Sequence, residues 1–342
     1  MIQVVRIEEA VGYPLAHDIT EIVPGQFKGP AFQRGHILTC RDLDHLRRLG
    51  KNHLYVLKPE TDEMHEDEAA KAIATALCGP GVCWSGEPRE GKLALTAEID
   101  GLFKVDVDAL YRFNLQGDVM CATVHSNSLV RKGDQVAATR AIPLVIARKR
   151  VKEAVDAACT ASEAVLRVMP MMRASAGVMI TGSEVYHGRI EDKFEPIIRR
   201  KVEALGGSVM EAVFLPDDDE MIAEAALRLL DKGANVLITT GGMSVDPDDR
   251  TRFALKKAGA QDLVYGSSVL PGAMFMTGHL RGVPFLGIPA CGIYAETTIF
   301  DLVYPRVLAG EKISREDIAA MGHGGLCLRC KTCIYPRCPF GK

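Results

Sequence analysis

The sequence has no surplus of charge of either sign and no long apolar run. Its 342 residues include 41 Lys and Arg against 44 Asp and Glu, which gives a net charge of −3. This balance argues against a nucleic-acid footprint spread over the whole surface. No window approaches about eighteen uninterrupted apolar positions, and Arg6, Glu8 and Glu9 place charges in the N-terminal stretch. We therefore expect a cytoplasmic protein without a signal peptide, a membrane span or a nucleic-acid partner.

Length and residue pattern predict more than one domain. Between residues 92 and 146, short apolar segments alternate with Gly and Asn turns, so residues 1–150 are predicted to form an α+β, β-rich region. Apolar residues then recur at helical intervals before Pro170, which predicts a connecting helix within residues 151–174. From Gly177 onward, strand and helix patterns alternate with short turns. Residues 175–312 are therefore predicted to form an α/β domain with a doubly wound, mostly parallel sheet.

The most informative stretch of that domain is residues 235–257. Its apolar run Val236-Leu237-Ile238 predicts a strand covered on both faces, and Thr239, Thr240, Gly241 and Gly242 close it. Asp246 and Pro247 then suit the N-cap and first position of a helix. A glycine turn between a strand and a helix N-terminus favours an anion site. The acids that follow either offset the helix dipole or hold Mg2+ against a phosphate, and both interpretations stay open.

Three other turns also follow predicted strands. They are residues 181–184, 217–219 and 287–292, and each precedes a helix. Because ligands of open α/β sheets bind at the carboxyl ends of the strands, we expect these turns to converge with the glycine turn on one site.

At this point a family resemblance can be recognised. Residues 177–310 resemble the molybdopterin-binding domain of MoeA- and MogA-type proteins of molybdenum cofactor assembly and of CinA-like proteins. The resemblance rests on TGSEVYHGRI, VFLPDDD, TTGGMSVDPDD, LPGAMF and GIPACGIYA, in that order. It implies a protein that inserts molybdenum or tungsten into molybdopterin, or a carrier or sensor of that pterin without activity.

The resemblance also implies roles for particular residues. Asp249, Asp218 and Glu184 would be the functional acids, with Asp249 and Asp218 positioning Mg2+ or the metal oxyanion. The pterin and its phosphate would be bound by residues of the four turns and the LPGAMF segment, namely Thr181, Gly182, Ser183, Thr239, Thr240, Gly241, Gly242, Ser244, Pro271, Gly272 and Pro289. The implied partners are molybdopterin, molybdate or tungstate, and a recipient molybdoenzyme or assembly protein, and a homo-oligomer is expected.

The sequence departs from the family pattern at several positions. Ser183 stands where the family has an acid, Asp246 stands where it has a glycine, and Ala290-Cys291 alters a PGNP turn. A counterpart of the MDG-containing segment of MoeA-type enzymes is not recognisable. The lost carboxylate weakens the case for metal insertion and favours the carrier, whereas the CinA likeness favours a nucleotide-type pyrophosphate as the third alternative.

Four of the ten cysteines are crowded into residues 322–342. Cys327, Cys330, Cys333 and Cys338 have the spacing C-x2-C-x2-C-x4-C and precede Pro339. In a reducing compartment such a group predicts a metal site rather than disulfides. The three cysteines at x2 intervals favour an iron–sulfur cluster over Zn2+, although the last gap is x4 rather than x3.

Overall fold

The computed structural model of the chain describes residues 2–23, 26–57, 62–159, 164–243 and 250–342. It contains two compact units. The first consists of Met1–Ile99, Lys104–Val124 and Val130–Val168, and the second of Asp100–Phe103, His125–Leu129 and Met169–Lys342. None of the helices in these ranges has the length and apolar character needed to cross a membrane.

The elements up to residue 169 are mainly short strands. In chain order they are β1 (Ile2–Arg6), β2 (Ile19–Val23), β3 (Phe27–Phe32), α1 (Leu43–Arg48), β4 (His53–Leu57), β5 (Glu63–His65), α2 (Glu66–Leu77), β6 (Val82–Trp84), β7 (Lys92–Ala97), β8 (Gly101–Val105), α3 (Val107–Asn114), β9 (Val119–Thr123), β10 (Ser128–Val130), β11 (Gln135–Ala141), β12 (Val145–Ala147), α4 (Arg148–Ala158) and β13 (Leu166–Met169). Within the first unit, β6, β7, β11 and β9 form an antiparallel sheet, and β1–β4, β2–β3 and β5–β12 form two-stranded pairs. The predicted β-rich character of this region is confirmed.

The prediction of a connecting helix within residues 151–174 is wrong for the second half of that range. Helix α4 ends at Ala158, and Leu166–Met169 is a strand. In Leu166-Arg-Val-Met the buried residues alternate with half-buried ones, which is the period of a strand and not of a helix.

The second unit has the predicted alternation of strands and helices. Its elements are β14 (Ser175–Thr181), α5 (Ser183–Tyr186), α6 (Phe194–Ala204), β15 (Ser208–Leu215), α7 (Asp219–Asp231), β16 (Val236–Thr240), α8 (Thr251–Lys257), β17 (Gln261–Tyr265), β18 (Met276–Leu280), β19 (Val283–Ile288), α9 (Ile299–Leu308) and α10 (Arg315–Ala320). They build one six-stranded sheet with the order β15-β14-β16-β19-β18-β17. The first four strands pair in parallel, whereas β18 pairs antiparallel with both β19 and β17, so the prediction of a mostly parallel sheet is confirmed.

Helices cover both faces of this sheet because its central strands are apolar on both sides. Along β14, Val178 and Ile180 pack into one core with α6 and α9, while Met179 between them packs into another core with α7 and α8. Strand β16 is buried at all five positions, as its apolar run predicts.

The C-terminal residues 322–342 fold back onto the second unit. Phe340 is 3% exposed and lies in the core with Phe300 and Tyr304. The backbone of Leu270 bonds to the tail on both sides, accepting from Cys327 N–H at 2.8 Å and donating to Gly325 O at 2.8 Å. The tail is therefore an ordered part of the second unit.

Pro305 accounts for a further contact, between the tail and α9. Proline usually ends or kinks a helix, yet α9 continues past Pro305 to Leu308, and Val307 and Leu308 are buried. Since proline has no N–H, the carbonyl of Asp301, four residues earlier, lacks its usual helical donor. The Tyr335 hydroxyl of the tail donates to that carbonyl at 3.4 Å.

Candidate functional site

The carboxyl ends of the four parallel strands lie at one edge of the sheet. Thr181 at the end of β14 is paired with Leu215 at the end of β15, and Thr240 at the end of β16 is paired with Ile288 at the end of β19. The chain adds β15 on one side of β14 and then crosses to add β16 on the other. The direction of winding therefore reverses between β14 and β16, which is where ligands of doubly wound sheets bind.

The glycine turn after β16 lies directly against the end of β14. Gly241 has φ +78°, and a Cβ added to it would be 2.0 Å from the backbone oxygen of Thr181. Gly242 has φ +53°, and its added Cβ would be 2.5 Å from Thr251 Oγ1. Only glycine allows this approach, so the two glycines have a geometric requirement beyond the flexibility of a turn.

Three threonines fasten this contact. Thr181 Oγ1 donates to the backbone oxygen of Thr240 at 2.8 Å and lies 3.0 Å from Thr251 Oγ1. Thr251 Oγ1 is 3.2 Å from the carbonyl of Gly241. The Thr181 hydroxyl therefore positions the turn. Thr251 was missed by sequence reasoning because nothing around it distinguishes it from any residue at a helix start.

The hydroxyls of Thr239 and Thr240 have unused hydrogen-bonding capacity. Both residues are fully buried, and neither hydroxyl has a partner among the residues that the structure describes. A buried hydroxyl without a partner is costly and calls for an explanation. Because successive side chains of a strand point to opposite faces, the two hydroxyls cannot both face one small ligand.

The acids after β15 have structural partners. Asp218 is the N-cap of α7, and its Oδ1 accepts from the N–H groups of Glu220 and Met221, each at 2.9 Å. The neighbouring Asp217 Oδ2 accepts from Ser183 N–H at 2.8 Å, and Ser183 Oγ accepts from Asp217 N–H at 3.3 Å. The visible role of Asp218 is thus helix capping, and Ser183 fits a reciprocal pair with Asp217 that ties the β14 and β15 turns together.

The remaining acids are placed as follows. Glu184 is exposed on α5, and its carboxylate lies over Gly182, whose added Cβ would be 2.9 Å from Glu184 Oε1. Asp219 at the start of α7 forms a bidentate pair with Arg250, at 2.8 and 2.6 Å. Ser244 and Asp249 lie outside the described residues, as does Asp246.

A cavity of about 360 Å3 adjoins the glycine turn. It brings together five of the predicted cofactor-binding residues, Gly241, Gly242, Pro271, Gly272 and Pro289. Predicted residues that do not line it are Thr181, Gly182, Ser183, Glu184, Asp218, Thr239 and Thr240. The volume lies within the range of about 300–1,000 Å3 that is usual for small-molecule sites.

Sequence reasoning missed Arg329 in this cavity. Among the described residues that line it, Arg329 is the charged one, and it comes from the C-terminal tail. A guanidinium presents a planar set of donors that suits phosphate. Cys291 lines the same cavity, and burial raises the pKa of its thiol.

The described residues offer no ready cage for a metal. Within residues 2–23, 26–57, 62–159, 164–243 and 250–342, no group of three or more His, Cys, Asp or Glu side chains is arranged to hold an ion. All ten cysteines are free thiols.

Comparison with known families supports the same domain. Residues 177–310 match the family described as "Probable molybdopterin binding domain". Residues 4–58 match a family described as a domain of unknown function. Residues 177–310 therefore match the molybdopterin-binding domain family, and the predicted resemblance to MoeA- and MogA-like proteins is confirmed.

Relatives share that part of the chain. A molybdopterin molybdenumtransferase of Haemophilus influenzae is 29% identical over 161 residues, which are 44% of this chain and 39% of that protein. A CinA-like protein of Thermosipho melanesiensis is 33% identical over 92 residues, which are 27% of this chain and 23% of that protein. The chain thus covers well under half the length of either relative.

A solved structure similar to a larger part of the chain is the MoeA protein of Pyrococcus horikosii. The two chains are 14% identical. The match includes 91% of this chain and 76% of the MoeA chain, with a TM-score of 0.33.

Proposed function

We propose that this protein binds molybdopterin at the carboxyl edge of its six-stranded sheet and inserts molybdenum or tungsten into it. The observation that carries the proposal is the glycine turn after β16. It lies so close to β14 that a Cβ on Gly241 would be 2.0 Å from the backbone oxygen of Thr181, and it opens onto a cavity that Arg329 also lines. The family of residues 177–310 supports the pterin as ligand.

The phosphate of the pterin would be bound by the glycine turn and Arg329. Glycines in the left-handed region expose their backbone N–H groups, and such concave turns bind anions. Arg329 supplies the positive charge that the turn itself lacks. Pro271, Gly272 and Pro289 would form the wall beside the ligand, since they line the same cavity.

Mg2+ or the metal oxyanion is proposed to be held by Asp249 together with the ligand. Mg2+ often binds through one or two carboxylates, substrate phosphates and water rather than through a cage of side chains. Asp218 contributes less in this scheme than its motif position implies, because one of its oxygens already caps α7.

The chain's contribution to metal insertion is positioning and charge neutralisation. The threonine contacts fix the glycine turn, the turn and Arg329 fix the phosphate, and the acids fix the incoming metal species. Molybdopterin and molybdate or tungstate are the substrates.

An anaerobic assay with molybdopterin and molybdate tests this mechanism. Bound pterin is measured after extraction, and product is measured by activation of an apo-molybdoenzyme. We expect Asp249→Ala to retain pterin binding and lose product formation. The matched control is Asp248→Ala, a neighbouring acid for which the resemblance implies no role, and it should retain both. Unchanged product formation in Asp249→Ala would remove Asp249 from the mechanism.

A second candidate function is a pterin carrier that passes the cofactor to a recipient molybdoenzyme or assembly protein. The observation that favours it is Ser183, which stands where the family has an acid and is engaged with Asp217. Tight pterin binding by the wild type without product under molybdate-replete conditions would support the carrier, whereas turnover would exclude it.

A further inference from the structure

A second cavity of about 530 Å3 lies beside the first and is lined by five cysteines. Four are the tail residues Cys327, Cys330, Cys333 and Cys338, and the fifth is Cys291 from the turn after β19. Pro271, Cys291 and Arg329 line both cavities. Half of the chain's ten cysteines thus face one space that adjoins the proposed cofactor site.

The walls of this second cavity are held in place by the fold. Cys327 and Cys338 pack against the core that contains Phe340, and Tyr335 is bonded to the Asp301 carbonyl left open by Pro305. Gly341 N–H donates to Gly324 O at 3.0 Å, which closes the tail into a loop. The cysteines are therefore presented by an anchored loop rather than by a free terminus.

The spacing of the thiols along the chain favours a cluster over a single ion, because three cysteines at x2 intervals with a fourth before Pro339 resemble an iron–sulfur binding run. A structural zinc ion needs four sulfurs around one point, each at about 2.3 Å. A four-iron, four-sulfur cluster binds each of its four cysteines through a different iron and so holds its ligands further apart than a single ion does.

The charges around the second cavity suit an anionic cluster. Its lining includes two basic residues, Arg329 and Lys331, and one acidic residue, Glu296. The hydroxyl of the buried Thr297 lies 3.4 Å from Cys333 Sγ, within reach of a hydrogen bond to a ligand sulfur. Such bonds to ligand atoms orient and tune metal centres.

We propose that Cys327, Cys330, Cys333 and Cys338 bind a four-iron, four-sulfur cluster in this cavity, and that Cys291 lies on the wall between the cluster and the cofactor cavity without ligating it. Cys291 is excluded from the ligand set because it belongs to the sheet edge, while the tail alone supplies the four sulfurs. The proposal stands apart from pterin binding, since it rests on the thiols and their cavity.

The test uses the full chain, purified without oxygen and reconstituted with ferrous iron and sulfide. We expect about four iron and four sulfide per chain, the visible absorption of such clusters, and a paramagnetic resonance signal after reduction. Cys330→Ser and Cys333→Ser change exposed residues, so they should fold and yet lose most of the iron. Cys291→Ser should keep the full iron content. The matched control is Cys40→Ser, an exposed cysteine of the first unit, which should also keep it.

Several results would overturn the proposal. They are one tightly held zinc per chain that iron and sulfide do not replace, no iron uptake by the wild type, full iron content in Cys330→Ser, or loss of iron in Cys291→Ser. Iron content is measured without pterin, so a failed cluster and a failed pterin site give separate results.

Discussion

Replacing Gly241 by alanine tests whether the glycine turn must lie against β14. The new methyl would be 2.0 Å from the Thr181 backbone oxygen, whereas ordinary contact begins at 3.4 Å, so the atoms would have to part by about 1.4 Å. The left-handed backbone at φ +78° adds a cost of about 1–2 kcal/mol for any residue with a Cβ.

Gly206 provides a matched control in the same unit. Its φ is +76°, and an added Cβ would meet nothing within 4 Å. Gly206→Ala should therefore cost only the backbone term of about 1–2 kcal/mol. Gly241→Ala adds a steric term of about 1–3 kcal/mol, typical of an overpacked site, and should cost about 2–5 kcal/mol in total.

Urea unfolding of both variants gives the two free energies, and pterin titration gives the functional effect. We expect Gly241→Ala to be the less stable variant by at least about 1 kcal/mol and to lose most pterin binding. Gly206→Ala should bind as the wild type does. Equal destabilisation with unchanged binding in both variants would refute the close approach as the basis of the site.

Three further changes test other parts of the structure. Thr181→Val removes the bond to the Thr240 carbonyl and should lower the free energy of unfolding by about 1–3 kcal/mol, measured by urea unfolding. Phe340→Ala, which truncates a side chain that is 3% exposed, should cost about 3–5 kcal/mol and make residues 322–342 a target for limited proteolysis. Burial raises the pKa of Glu66 from 4.5 to about 7, so the folded state binds the proton more tightly, and stability should fall as pH rises from about 4.5 to 7. Glu66→Gln should flatten that fall in urea titrations across this range, and an unchanged slope would contradict the assignment.

The sheet and its ligand edge follow from local signals. The apolar run of β16 and the two glycines after it predict a buried strand and a tight turn, and both are found. The predicted extent of the connecting helix was wrong at Leu166–Met169, because apolar residues that alternate with the period of a strand were taken for a helical pattern. Asp218 shows a different limit, because an acid after a strand has the same pattern whether it caps a helix or binds Mg2+.

Local sequence patterns could not predict contacts between distant parts of the chain. Arg329 reaches the cavity beside the glycine turn because the tail folds back and Phe340 enters the core. Likewise, the four-cysteine spacing predicts a metal site, but nothing in the spacing indicates that Cys291 shares its cavity. Such contacts depend on how the tail packs, which a linear spacing does not record.

The most direct test of the central claim is a titration of the wild-type chain with molybdopterin and with its dephosphorylated form. The glycine turn and Arg329 predict saturable binding of one pterin per chain and at least about tenfold weaker binding without the phosphate. Absence of saturable binding, or equal affinity for the two forms, would contradict the account.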